Sequence, residues 1–171
     1  GGSVTEDDRY LVITASTSTY GNELYIVDLT DKKGTIIPIV ENFNSSNYII
    51  DNEGSKLFIS TDMDAPNTRV VTVDVSNPKP ENWKDFIPET ENVLSPSTGG
   101  GFFFAHYMKD AVSQVKQYDY TGKLIREIAN EEASSGIYKI NSNLSGIPSG
   151  VYTVQILSNG KSINKRINIA H

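Results

Sequence analysis

Short stretches of apolar residues with strand-like composition recur along this chain at a regular interval. Asp28, Asp74 and Asp119 each close such a stretch, and they are separated by 46 and 45 residues. A second set of apolar stretches precedes them at nearly the same interval, at residues 10–13, 57–59 and 102–104. Runs rich in Val, Ile, Tyr and Phe that are bounded by Asp, Asn and Gly predict β-strands joined by turns.

A third element follows each aspartate, at residues 35–40, 83–88 and 123–128. Pro38 and Pro88 cannot donate a backbone hydrogen bond to a central ladder, which favours a position on an outer strand. A repeat of 40 to 50 residues built from strands alone is typical of β-propeller blades. We therefore predict an all-β chain with a partial β-propeller of two to three blade-like antiparallel sheets.

The turns between the predicted strands are marked by their residue types. Residues 51–55 read Asp-Asn-Glu-Gly-Ser and predict a turn, and residues 62–67 predict a tight connection between two strands. Residues 109–115 could form at most one helical turn. Two alternating runs at 151–157 and 161–169 are joined through Asn159-Gly160, which strongly indicates a hairpin. The chain is thus predicted to finish as a small β-sandwich or hairpin unit.

A ring of blades cannot be closed by so few repeats. The end faces of the outermost sheets would be apolar and uncovered, and such faces favour association. We therefore expect either the C-terminal unit or self-association through the open blades to cover them.

Composition narrows the classes of partner. The 171 residues carry a formal charge of -6, and acidic residues outnumber basic ones 19 to 11 within residues 1–128. This acidic excess argues against nucleic acid as a partner, because phosphate binding needs a basic surface. No apolar run approaches the ~20 residues of a membrane span. Cysteine is absent, which excludes disulfides and thiol catalysis. Gly1-Gly2-Ser3 is interpreted as a linker, so the natural chain is expected to begin upstream.

Several segments within residues 1–128 resemble the propeller of the prolyl oligopeptidase family of serine peptidases. They come in that family's order and spacing, at residues 22–25, 27–29, 40–43, 51–55, 64–67, 69–70, 77–78, 81–84 and 87–89. The resemblance implies a non-catalytic propeller that caps the active site of a separate α/β-hydrolase domain. It also implies that this cap restricts access to short peptides.

The C-terminal residues 136–171 are similar to a different family, the C-terminal sorting domain of proteins exported by the type IX secretion system of Bacteroidetes. The motif residues are Leu144, Ile147, Pro148, Gly150, Tyr152, Gly160 and Lys165. That family usually has Leu where this chain has Ile147. The resemblance implies export by the secretion machinery to the cell surface or the medium, with the periplasm as the alternative location.

The two resemblances overlap. Residues 118–125 fit the third propeller repeat and also fit a strand-turn-strand of a sorting domain, so residues 92–128 can belong to either. We predict propeller-type blades at 1–91, a third blade or the start of a sorting-type sandwich at 92–128, and a sorting-type unit at 129–171. A polar stretch at 130–136 would link the last two. A natural or engineered chimera joined within the shared segment would explain this arrangement.

No catalytic, cofactor-binding or metal-binding residue is predicted. A peptidase of this family needs a Gly-x-Ser-x-Gly elbow with His and Asp partners, and the chain has no such motif. Its two histidines are His106, inside an apolar strand, and His171, the last residue. Asp62-x-Asp64 opens like a calcium loop, but Pro66 replaces the next oxygen ligand, which favours a turn.

Two other groups of residues are interpreted as structural. Residues 99–101 are three glycines with no Lys-Ser/Thr or helix after them, so they predict a turn and not a phosphate loop. The aromatic residues Trp83, Tyr107, Tyr118 and Tyr152 are expected to pack between sheets, since they lie in alternating strands.

Three functions remain open from the sequence. The first is a propeller fragment that carries a sorting domain and is itself non-catalytic. The second is part of an active prolyl endopeptidase whose hydrolase domain lies on another segment. The third is an unrelated surface-binding β module for protein or glycan. The sorting motif lies at the C-terminus, where its family places it, and this favours the first.

Overall fold

The computed structural model describes residues 1–109, 112–130, 147–158 and 161–170. It divides into two compact units, Gly1–Tyr138 and Lys139–His171. The first unit contains three four-stranded antiparallel sheets, and the second contains a two-stranded hairpin. The only helical element in the described residues is a single 3-10 turn at Pro80–Asn82.

Each sheet is a meander whose strands lie side by side in chain order. Sheet 1 contains β1 (Gly2–Val4), β2 (Tyr10–Ala15), β3 (Glu23–Asp28) and β4 (Ile36–Val40). Sheet 2 contains β5 (Asn47–Glu53), β6 (Lys56–Thr61), β7 (Arg69–Asp74) and β8 (Lys84–Ile87). Sheet 3 contains β9 (Leu94–Gly99), β10 (Phe102–Lys109), β11 (Val112–Tyr118) and β12 (Leu124–Asn130). The hairpin of the second unit contains β13 (Gly150–Ser158) and β14 (Lys161–Ile169). The all-β fold class and its partial propeller are confirmed.

Sheet 2 lies between the other two sheets because its strands are apolar on both faces. On β6, Leu57 and Ile59 point to one side and Phe58 to the other, and all three are fully buried. Leu57 and Ile59 join a first core cluster with sheet 1, whose further members are Tyr10, Val12, Leu24, Ile26, Ile39, Val40, Val71 and Val73. Phe58 joins a second core cluster with sheet 3, whose further members are Val70, Ile87, Leu94, Phe103, Ala105 and Tyr107. Because successive side chains of β6 point to opposite faces of sheet 2, this one strand contributes to both core clusters.

The predicted outer strands are confirmed as edges. Pro38 lies in β4 and Pro88 follows β8, and each of these strands is the last of its sheet. Gly100 and Gly101 form the predicted turn between β9 and β10, and Gly99 ends β9, paired with Phe102. Gly100 and Gly101 have φ of 59° and 78°, the left-handed values that a two-residue hairpin turn requires at both positions.

Three sequence predictions need correction. Residues 51–53 are not part of a turn but the end of β5, paired with residues 56–58, so the turn is only Gly54-Ser55. Polar side chains are accommodated there by hydrogen bonds, since the Asn52 amide donates to the Asp7 carboxylate at 2.8 Å and the Asp51 carboxylate accepts from the Tyr120 hydroxyl. The first strand of each four-stranded sheet was not predicted, since β1 and β9 contain few apolar residues and β5 ends in Asp-Asn-Glu, which has the composition of a turn. Residues 109–115 contain no helical turn in their described part, because β10 ends at Lys109 and β11 begins at Val112.

The hairpin of the second unit pairs in one unbroken register from Gly150 with Ile169 to Ser158 with Lys161. This confirms the predicted hairpin. Its two connecting residues, Asn159 and Gly160, lie outside the described residues. The predicted linker at 130–136 is described only at Asn130, which ends β12.

Candidate functional site

The repeated aspartates form the same turn at or just after the end of the third strand in each of sheets 1 to 3. The Asp28 carboxylate accepts hydrogen bonds from the backbone N–H of Thr30 at 2.9 Å and from its hydroxyl at 2.6 Å. Ser76 makes the same pair of bonds to Asp74, and Thr121 makes them to Asp119. Each aspartate carbonyl also accepts from the backbone N–H three residues later. The repeated aspartates therefore stabilise turns and do not form a catalytic site.

These contacts favour the ionised carboxylate. The hydroxyl of Thr30 lowers the pKa of Asp28, with help from the Thr30 backbone N–H. The Ser76 backbone N–H lowers the pKa of Asp74, and the Thr121 hydroxyl lowers that of Asp119. Charge-assisted hydrogen bonds to the ionised form produce this direction.

We expect a charge-specific loss of stability in acid from these three turns. A lowered folded-state pKa contributes stability that is present above the ordinary value of 3.8 and is lost as the pH falls through the folded value. The triple variant Asp28→Asn, Asp74→Asn, Asp119→Asn should therefore have a lower urea midpoint than the parent at pH 7. The difference should shrink as the pH falls below 3.8, and a gap that persists unchanged at pH 2.5 would contradict this account.

A buried polar network joins sheet 1 to sheet 2. The Asn22 side chain donates to the Asn47 carbonyl at 2.9 Å and accepts from the Asn47 backbone N–H at 2.7 Å. The Asn47 amide in turn donates to the Ser45 carbonyl and accepts from the Thr61 hydroxyl at 2.6 Å. All four residues are buried. Because each buried polar group has a partner, the hydrogen bonds offset the cost of desolvation and the network holds the two sheets in register.

Gly21 lies beside this network at a point of close backbone approach. Its φ is 75°, and a Cβ built on it would lie 1.9 Å from the carbonyl oxygen of Phe43. Only glycine fits there, since the neighbouring atoms belong to the backbone and cannot rotate away. The connection before β3 in sheet 1 and the connection between β4 and β5 are therefore held in close contact at this position.

An aromatic cluster joins sheet 2 to sheet 3. Phe58 contacts Phe86, Phe103 and Tyr120, with ring centroids 4.8, 4.6 and 5.7 Å away. The Tyr120 hydroxyl donates to the Asp51 carboxylate at 2.5 Å. Burial and this hydrogen bond both raise the pKa of Tyr120, which therefore stays protonated as a donor. Tilted and edge-on ring pairs such as these stabilise beyond their buried area.

A small cleft lies at one end of the inner face of sheet 3. Its volume is about 250 Å³, and its lining residues are Thr90, Glu91, Asn92, Tyr107, Gln114 and Lys116. The Lys116 ammonium lies 5.6 Å from the centre of the Tyr107 ring. Burial raises the pKa of Tyr107 to about 12, so this phenol is neutral at physiological pH.

The other candidate residues of the sequence have structural positions. His106 lies within β10, paired with Ser95 and Val115, and burial lowers its pKa. Asp62 accepts from the Ser46 backbone N–H at 2.7 Å in the loop between β6 and β7, as expected for a turn. Within the described part of the chain, no three His, Cys, Asp or Glu side chains converge as metal ligands would.

Three of the four selected aromatic residues pack as expected in the first unit. Trp83 packs against the first core cluster and donates to the Pro78 carbonyl at 2.8 Å. Tyr107 is buried in the second core cluster, and Tyr118 packs against it.

The sequence did not single out Asn47, which lies at the centre of the buried polar network. The signal of Asn47 in the sequence is weak, since an Asn in a polar stretch such as residues 44–47 usually marks a turn.

The sorting-motif residues are partly described. Tyr152 pairs with Ile167 across the hairpin, and its hydroxyl donates to the Pro148 carbonyl at 2.8 Å. Gly150 packs against the Tyr152 ring, and Lys165 pairs with Val154 on β14. Ile147 precedes the hairpin in the chain. Leu144, Gly160 and the C-terminal His171 lie outside the described residues, and the role of the motif stays a prediction.

Comparison with known proteins agrees with the architecture of the first unit. Residues 1–143 match the family described as the prolyl oligopeptidase N-terminal beta-propeller domain. The prolyl endopeptidase of Elizabethkingia miricola is 56% identical over 127 residues, which cover 74% of this chain and 18% of that protein. The dual function macrocyclase-peptidase POPB of Amanita bisporigera is 27% identical over 139 residues, which cover 77% of this chain and 19% of that protein.

Solved structures show the same likeness in three dimensions. A structure from a study of two prolyl endopeptidases has a TM-score of 0.68 at 30% identity, and covers 75% of this chain and 19% of that one. Prolyl oligopeptidase B from Galerina marginata, bound to a 25mer macrocyclization substrate, has a TM-score of 0.68 at 27% identity. It covers 76% of this chain and 19% of that one.

Three stacked antiparallel meanders define this protein as a set of propeller blades. The chain belongs to the prolyl oligopeptidase family, within its N-terminal propeller domain. It spans about a fifth of the length of the curated relatives it matches. In the described residues, no helix is both long and apolar enough to cross a bilayer.

Proposed function

We propose that this chain supplies three non-catalytic blades of the propeller that restricts access to a prolyl oligopeptidase-type active site. The observation that carries the proposal is the match of residues 1–143 to the propeller of that family. The first two blades occupy residues 1–91. Residues 92–128 form the third blade, because sheet 3 has the same strand order and the same aspartate turn as sheets 1 and 2. The peptide bond would be cleaved by a hydrolase domain on another segment.

A chimeric enzyme tests this proposal directly. The segment of the Elizabethkingia miricola prolyl endopeptidase that aligns over 127 residues is replaced by its counterpart from this chain. We expect kcat/KM for a short Gly-Pro reporter peptide to change by less than about tenfold, or about 1.4 kcal/mol in transition-state stabilisation. The chimera should also stay inactive on a long denatured polypeptide, as a working cap requires.

Two controls accompany the chimera. The present chain alone should not cleave the reporter peptide, and cleavage would contradict the assignment of this chain as non-catalytic. A chimera that also carries Gly21→Ala should lose the folded segment and with it the size limit. If the unmodified chimera folds but cleaves long and short substrates alike, the access-restricting role is wrong.

We also propose that residues 129–171 form a sorting-type unit that directs export and surface attachment through the type IX machinery. The described hairpin supports this with the packing of Gly150 and Pro148 around Tyr152, three residues of the motif. The full chain, produced in a type IX-competent bacterium, should reach the cell surface or medium. The variant Tyr152→Ala should accumulate in the periplasm, whereas Val151→Thr on the opposite strand face should not. Equal export of both variants would contradict the motif assignment.

A further inference from the structure

We propose that the junction of sheets 1 and 2 contains a binding site for one buried water molecule, which bridges Arg9, Tyr10 and Asn52. Tyr10 begins β2 and Arg9 directly precedes it, whereas Asn52 lies in β5. A ligand at this place joins the first repeat to the second. The inference concerns the contact between two neighbouring sheets and does not rest on the access-restricting role.

Three polar side-chain atoms at this junction are buried and make no hydrogen bond with the protein. They are Arg9 Nε, Tyr10 Oη and Asn52 Oδ1, and among the described residues only Arg69 Nε is in the same condition. Tyr10 is 0% exposed and Asn52 is 9% exposed. Buried polar atoms are almost always bonded, either to protein or to ordered water. These three atoms therefore call for a partner outside the chain.

Arg9 and Asn52 share neighbours, which places them together although they belong to different sheets. The Asn52 amide donates to the Asp7 carboxylate at 2.8 Å, and the second oxygen of that carboxylate accepts from the Arg9 backbone N–H at 3.1 Å. Asn52 also donates to the Gly54 carbonyl at 3.3 Å. A Cβ built on Gly54 would lie 3.6 Å from a guanidinium nitrogen of Arg9.

Tyr10 points into the same junction. Its side chain belongs to the first core cluster, and the guanidinium carbon of Arg9 lies 5.0 Å from the centre of its ring. Asn52 pairs with Leu57 across β5 and β6, and Leu57 is a member of the same cluster. Residues that pair across two strands share a face of the sheet. Tyr10 and Asn52 therefore approach the junction from opposite sides.

The hydrogen-bonding character of the three atoms defines what they can bind. Arg9 Nε carries a hydrogen and can only donate. Burial raises the pKa of Tyr10, so its hydroxyl keeps a proton to donate. Asn52 Oδ1 can only accept, and the amide cannot be flipped because its nitrogen already donates to the Asp7 carboxylate. The ligand must therefore accept two hydrogen bonds and donate one.

The charges around the site favour a neutral ligand. The guanidinium of Arg9 repels a cation. The carboxylates of Asp7, Asp28 and Asp74 lie close enough for their charges to act on the Tyr10 hydroxyl, and they repel an anion. Water is neutral, accepts two hydrogen bonds and donates two, and commonly makes about three bonds to buried polar groups. It is the smallest ligand that satisfies all three atoms.

This site complements the asparagine network at the opposite end of the same junction. Tyr10 pairs with Asp28 at one end of β2 and β3, whereas Asn22 directly precedes β3 at the other end. Asn22 and Asn47 join the two sheets by direct hydrogen bonds. Sheets 1 and 2 are thus joined directly at one end and through water at the other.

The sign of the stability change in Tyr10→Phe tests the site. Phenylalanine keeps the ring and removes only the hydroxyl. If that hydroxyl binds a water, urea unfolding should show a folding equilibrium constant roughly fivefold lower than that of the parent. If the hydroxyl has no partner, its removal should leave the variant equally stable or more stable, because a desolvated polar group is lost, and that result would overturn the proposal. Tyr48→Phe is the matched control, since Tyr48 is 57% exposed, and it should leave the constant unchanged.

A double-mutant cycle and a crystal structure show whether the atoms share one ligand. Arg9→Lys keeps the positive charge beside Asp28 but removes Nε. Its effect and that of Tyr10→Phe should together be smaller than their sum, because either change already weakens the same water. A high-resolution crystal structure of the parent should show one water within hydrogen-bonding distance of Arg9 Nε, Tyr10 Oη and Asn52 Oδ1. Additive effects, or a separate water on each atom, would rule out a shared site.

Discussion

Gly21→Ala is expected to cost at least about 3 kcal/mol of unfolding free energy, which is a large part of the stability of a small domain. Two effects add at this position. The φ of 75° is unfavourable for any residue with a Cβ, and the new Cβ would lie 1.9 Å from the Phe43 carbonyl oxygen. That oxygen can move only if the backbone of the segment between sheets 1 and 2 moves with it. The neighbouring bond from Asn22 to the Ser45 carbonyl would then be lost.

Urea unfolding of Gly21→Ala and Gly34→Ala in parallel separates the two effects. Gly34 has a similar φ of 60°, but its Cβ would have no neighbour within 4 Å. Gly34→Ala should therefore cost only about 1–2 kcal/mol, from backbone strain alone. If both variants lose the same free energy, close approach at Gly21 has no energetic role.

Phe58→Ala is expected to lower the unfolding free energy by about 3–5 kcal/mol. Phe58 is fully buried, and its ring contacts Phe86, Phe103 and Tyr120 at the junction of sheets 2 and 3. Its removal leaves a cavity that aromatic neighbours on two different sheets cannot fill together, since each is held by its own strand. The Tyr120 bond to Asp51 should weaken as the ring below it disappears.

The measurement is urea unfolding of Phe58→Ala beside Tyr48→Ala, which removes an exposed aromatic ring from the same sheet. Tyr48→Ala should change the free energy by no more than about 0.5 kcal/mol. The contacts of Phe58 also predict a directional effect. Hydrogen exchange should accelerate in sheet 3 more than in sheet 1, because Phe58 lies on the face toward sheet 3. Uniform acceleration in both sheets would contradict the assignment of Phe58 to that junction alone.

Local patterns made the inner strands predictable. The stretches that contain Leu57 and Val71 are buried on both faces, so their apolar runs are strong signals in the sequence alone. The repeated aspartates were also recognisable in the sequence, because the turn bonds of Asp28, Asp74 and Asp119 are made to residues two and three positions ahead. The first strands β1, β5 and β9 were not predicted, since β1 and β9 contain few apolar residues and the polar end of β5 has the composition of a turn.

Contacts between repeats could not be predicted from local pattern. Asn22 and Asn47 are 25 residues apart, and nothing in the segment around either residue indicates that each satisfies the other. The same is true of Tyr120 and Asp51, which are 69 residues apart. Such pairs depend on how whole sheets stack. The role of Gly21 likewise follows from the path of a distant segment at Phe43.

The aspartate turns have an evolutionary consequence. Each turn is built entirely within its own repeat, whereas the asparagine network and the aromatic cluster are shared between neighbouring repeats. A gene duplication or deletion of one whole repeat therefore transmits an intact turn and has to re-establish only the surfaces between sheets. Recombination at repeat boundaries can therefore change the number of blades, while the residues that form the turn of each repeat stay together.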